Sequence, residues 1–79
     1  MAASEFTAND VYRIHMLALE EFEKVCDRKS WCLRVSPEKG PEILFRKGTD
    51  ESVVESAKRR WRLATVGTRY GSVPISIRS

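Results

Sequence analysis

The sequence predicts one small α+β domain, with two helices packed on one face of a three-stranded sheet in the order α-β-β-α-β. Three observations predict it. Apolar residues recur at helical spacing in two segments, they alternate with polar ones in three others, and 79 residues give material for a single core. A composition of 42% hydrophobic and 32% charged residues is that of a folded chain, not a disordered one.

The first helix opens at Thr7, which stands three residues ahead of Asp10 in a capping arrangement. Val11, Ile14, Ala18, Phe22 and Val25 then form an apolar stripe, widened by His15, Leu19 and Cys26. Arg13, Glu20, Glu23, Lys24 and Asp27 take the opposite side. Residues 1–6 are expected to be a flexible leader. Ala-Ser and Glu-Phe within them also match restriction-site remnants of expression vectors, so the domain is placed at residues 7–79.

Trp31, Leu33 and Val35 alternate with Cys32 and Arg34, which is the period of a strand. Ser36 to Pro41 has turn composition, and Ile43 to Lys47 reads as the second arm of a hairpin. Gly48 is expected to end that strand, and Thr49 or Asp50 to cap a second helix. Its apolar stripe is Val53, Val54, Ala57, Trp61 and Ala64, with Arg60 at the edge and Gly67 as the stop. Ser72 to Arg78 alternates again and gives the third strand. Pro74 cannot donate a ladder bond, so this strand belongs at a sheet edge or beside a bulge.

Charge is uneven along the chain although the net value is only +3. Residues 1–27 hold six acids and two bases, whereas from Ser56 onward there are six bases and no acid. Lys58, Arg59, Arg60 and Arg62 surround Trp61, and Arg69, Tyr70 and Arg78 follow. Such a patch neutralises phosphates without reading sequence. The sequence therefore predicts a non-enzymatic accessory domain that binds DNA or RNA. Lys58, Arg59, Arg62 and Arg69 are its phosphate contacts, and Tyr70 is a candidate for stacking on a base. The same run also suits the solvated last turns of a helix, where the dipole favours bases.

The alternative is a protein-interaction or inhibitor domain, self-associating or not. It would use the open sheet face, with Arg34, Leu44 and Arg46, and the acidic surface at Glu20 and Glu23 against the basic second helix. A sheet that reads RNA bases would carry aromatic pairs on that face, and this one does not.

Catalytic and ligand-holding motifs are not found. His15, the one histidine, stands beside Ile14, Ala18 and Leu19 and reads as a packing residue, without an orienting partner for general-base work. Cys26 and Cys32 have neither CxxC nor zinc-site spacing. Lys39-Gly40 lacks the Gly-rich lead of a phosphate loop, so neither a nucleotide cofactor nor a metal is expected. The longest unbroken apolar run, Met16 to Leu19, is too short for a membrane span, and no secretory signal is read at the start. An intracellular setting, cytoplasmic or nuclear, is expected.

Overall fold

The structure, a computed structural model, describes residues 6–78. Helix α1 (Ala8–Phe22) is followed by the hairpin β1 (Trp31–Ser36) and β2 (Gly40–Phe45), then by α2 (Glu51–Ala64) and β3 (Ile75–Ile77). Short 3-10 turns at Arg28–Ser30 and Arg69–Ser72 lead into β1 and toward β3. The predicted α+β class and the order α-β-β-α-β are both present.

Helix α1 starts where local chemistry says it should. The Thr7 hydroxyl accepts from the Asp10 amide at 3.1 Å, and the Asp10 carboxylate accepts from the Thr7 amide at 3.0 Å. This reciprocal box satisfies two of the amides a helix leaves free at its start. The helix ends at Phe22, so Val25, expected in the stripe, lies in the following turn, where its amide donates to the Phe22 carbonyl. Residues 1–5 of the expected leader lie outside the described residues, and Phe6, the sixth, packs its ring 6.2 Å from that of Tyr70.

The sheet order is β1-β2-β3, with β1 and β2 antiparallel and β2 and β3 parallel. Strand β2 begins at Gly40, not at Ile43 as the composition of Ser36–Pro41 suggested, and it stops at Phe45, leaving Arg46 and Lys47 beyond it. Two features admit a Gly-Pro pair to a central strand. Gly40, at φ 73°, supplies the left-handed residue that closes a three-residue hairpin loop. The Pro41 nitrogen lies on the side facing β3, which begins only at the register of Ile43 with Ile75, so its missing N–H removes no ladder bond. Strand β3 likewise starts at Ile75 and not at Ser72, because Ser72 belongs to the preceding 3-10 turn. Pro74 directly precedes it at the sheet edge, its carbonyl accepting from the Ile43 amide at 2.9 Å.

Both helices lie on one face of the sheet. The core joins Ile14, Ala18 and Phe22 of α1, Trp31 of β1, Ile43 and Phe45 of β2, Val54, Ala57 and Trp61 of α2, and Val73. Phe22 is its centre, with ring centroids of Trp31, Phe45 and Trp61 at 5.3, 5.7 and 5.9 Å. Each aromatic pair adds about 0.5–1.5 kcal/mol beyond the area it buries. Trp61 also donates from Nε1 to the Tyr70 carbonyl at 3.0 Å, which ties the second 3-10 turn to α2.

Candidate functional site

On α2 the buried stripe of Val54, Ala57 and Trp61 fixes which side chains face out. Arg59 and Arg62 are exposed and one turn apart, and neither has an acidic partner among the described residues. Lys58 is half-buried and stands 3.8 Å from the exposed Glu55. Lys58 and Arg62 flank a hollow of about 200 Å³, floored by Trp61, Val73 and Ile75 and bounded by Gly71. Leu63, 70% exposed, shares the outer side with the arginines, and Val66, 73% exposed, follows in the turn after the helix.

Two other cations of this half of the chain, Arg60 and Arg69, are engaged inside the molecule. Arg60 leaves the edge of α2 and reaches Glu21 of α1 at 3.3 Å. Arg69 donates from Nη2 to Asp10 Oδ2 at 2.6 Å, and its guanidinium lies 5.1 Å from the Phe6 ring centre. The Tyr70 hydroxyl donates to the other oxygen of the same carboxylate at 2.9 Å. Three donors thus converge on Asp10, whose side chain is only 14% exposed. The Thr7 amide and then the Tyr70 hydroxyl hold its carboxyl at about 2, below the ordinary 3.8, with Arg69 adding attraction. The Tyr70 phenol is pushed upward in return, chiefly by donating to Asp10. The structure therefore brings Lys58, Arg59 and Arg62 together, and takes Arg69 and Tyr70 to a carboxylate some sixty residues earlier. A chain that is bipolar in sequence neutralises part of that polarity by folding its basic half onto its acidic helix.

The open sheet face carries Cys32, Arg34, Glu42 and Leu44, with Arg34 Nε 3.9 Å from Glu42. Arg34 and Leu44 line one hollow with Lys39 and Arg78, while Arg46 is exposed beyond the strand end. Glu20 and Glu23 are exposed on the outer side of α1, beside the exposed Tyr12 and Met16. These acids and the open sheet face belong to different surfaces.

His15 is partly buried on the helix edge, its Nε2 3.3 Å from Arg28 Nη2 and its ring 6.0 Å from that of Trp31. Cys26 donates from Sγ to the Phe22 carbonyl at 3.5 Å, and burial pushes its thiol upward. Among the described residues no three His, Cys, Asp or Glu side chains are grouped to hold a metal ion, and no helix is long and apolar enough to cross a membrane. No family model, no curated protein and no solved structure matches the chain.

Proposed function

We propose that this chain is a non-enzymatic domain that binds nucleic acid through the outer face of α2, with Arg59, Arg62 and Lys58 contacting phosphates. The observation that carries the reading is the pair Arg59 and Arg62, which are exposed on one side of α2 with no carboxylate partner among the described residues. Arg60 and Arg69, by contrast, are engaged with Glu21 and Asp10. Three phosphate contacts imply modest, sequence-tolerant affinity and a slope of log K against log salt of about −3 on duplex, from about −0.9 per contact.

Anisotropy of labelled duplex and single-stranded DNA and RNA tests this. An extrinsic label is needed because both tryptophans are buried. Saturable binding that weakens with salt, and that loses about two from its slope in the Arg59→Glu/Arg62→Glu double variant, supports the reading. Unchanged affinity in that variant, or no binding at low salt, overturns it.

A second reading, a protein partner on the open sheet face, draws on one observation: Leu44 is only half-buried there and shares a hollow with Arg34, Lys39, Glu42 and Arg78. Leu44→Asp should then abolish capture of the partner while leaving nucleic-acid binding intact.

A further inference from the structure

The sheet gathers on its open face charges that lie far apart in the chain. Successive strand residues alternate between faces. Ile43 and Phe45 of β2 are buried in the core, so Glu42 and Leu44 stand on the other side. In the ladder Leu44 is flanked by Cys32 of β1 and Ser76 of β3, and Arg34 lies opposite Glu42. The Arg78 amide still donates to the Phe45 carbonyl at 2.8 Å, so Arg78 keeps the phase of β3 and shares the face of Ser76. Lys39 joins them from the hairpin turn. Arg34, Lys39, Glu42, Leu44, Ser76 and Arg78 thus line a hollow of about 360 Å³. Arg34 and Lys39 enter it from the hairpin end and Arg78 from the opposite end, with the Leu44–Ser76 pair between them.

The charge of this lining does not balance. Three cations meet one carboxylate, leaving a surplus of two positive charges. Glu42, whose side chain is 13% exposed, lies 3.9 Å from Arg34 Nε, while the Arg34 side chain remains 62% exposed. Neither Lys39 nor Arg78 makes an ion pair among the described residues. The exposed Ser76 hydroxyl adds a neutral donor at the middle of the hollow.

We propose that this hollow binds a phosphate monoester. Such a group carries about −1.5 to −2 charges at pH 7 and three strong acceptor oxygens, which matches the surplus and the donors. The planar guanidinium of arginine fits a phosphate bidentately, and two arginines serve the site. Cations that converge on one hollow from three strands suit a single compact dianion. A nucleic-acid backbone instead strings single charges along a line, and the face residues Cys32, Arg34, Glu42, Leu44 and Ser76 include no aromatic ring on which a base could stack. A small phosphorylated compound and a phosphorylated side chain share the required chemistry. The site needs neither nucleic acid on α2 nor the protein partner of the second reading.

Titration with phenyl phosphate, followed by amide chemical shifts in NMR, tests the site. Phenyl sulfate, the same shape with a single charge, is the control. Saturable shifts are expected at Arg34, Leu44, Ser76 and Arg78, and phenyl sulfate should bind on the order of tenfold more weakly. The Arg34→Gln/Arg78→Gln variant changes two exposed side chains, and its amide spectrum verifies the fold; it should abolish the shifts. Lys39→Gln should weaken binding on the order of tenfold. Inorganic phosphate and a capped phosphoserine peptide then separate the sources. Tighter binding of the peptide assigns the site to a phosphorylated side chain, and equal binding assigns it to a free phosphate compound. Phenyl phosphate that binds no better than phenyl sulfate overturns the proposal. So does binding unchanged in the double variant, and so do shifts that appear at Arg59 and Arg62 without any on the sheet face.

Discussion

The Tyr70 hydroxyl donates to Asp10 Oδ1 at 2.9 Å while Arg69 takes Oδ2 at 2.6 Å, so one carboxylate in the first turn of α1 holds the segment that leads into β3. The same carboxylate completes the helix cap with Thr7. Asp10→Ala should therefore lower the melting temperature by more than either Thr7→Ala or Tyr70→Phe. Loss of the Thr7 cap alone is worth about 1 kcal/mol, or roughly 4–8 °C in a domain of this size. Thermal unfolding of the three variants checks the order. An Asp10→Ala protein that melts with the wild type would deny the carboxylate this role.

That latch has a pH window. A carboxyl held at about 2 against 3.8 contributes its full stabilisation above 3.8 and loses it as pH falls toward 2. The raised Tyr70 phenol works in the other direction, contributing fully below its ordinary value of 10 and losing its share as pH rises through the raised one. The melting-temperature difference between wild type and Asp10→Asn should accordingly be constant near neutrality and shrink as pH falls from 3.8 toward 2. A difference that stays constant through that acid range would show that Asp10 titrates alike in the folded and unfolded chain.

Local chemistry was legible in the sequence, and distant pairing was not. The Thr7–Asp10 cap and the exposure of Arg59 and Arg62 follow from spacing, because a helix repeats the same geometry every turn. The Gly40-Pro41 pair has turn composition, and only the ladder phase, together with where β3 begins, explains its place in a strand. Ser72 alternates as a strand residue would. It sits in a 3-10 turn because the Thr68 hydroxyl accepts the Tyr70 amide and Trp61 captures the Tyr70 carbonyl. The acid-free stretch after Ser56 suggested a continuous cationic surface. Asp10 and Glu21 interrupt it, and no feature of the residues around Arg60 or Arg69 announces partners from α1.

Phe22 touches three other aromatic rings and is wholly buried, so it is the position where truncation should cost most. Phe22→Ala should destabilise by about 3–5 kcal/mol, a large share of the margin of a small domain. Phe22→Leu, which keeps most of the volume, should cost clearly less. Urea midpoints measure both. A loss under about 1 kcal/mol for the alanine variant would mean that the three rings close the gap without it.

The two cysteines should separate by reactivity. Cys26 is partly covered behind α1, its thiol donating to the Phe22 carbonyl and raised by burial, and the thiolate is the form that attacks. Cys32 is exposed on the open sheet face. Iodoacetamide applied to the native protein near neutral pH should modify Cys32 first and Cys26 more slowly, whereas in urea both should react together. Peptide mass spectrometry at timed quench points distinguishes the two sites. Because Cys32 shares its face with Leu44 and Arg34, its labelling rate also reports on occupancy of that face. A protein ligand bound there should slow alkylation of Cys32, and nucleic acid held on α2 should leave it unchanged. Equal labelling of both cysteines in the folded protein would show that neither the partial cover of Cys26 nor its raised thiol slows the reaction.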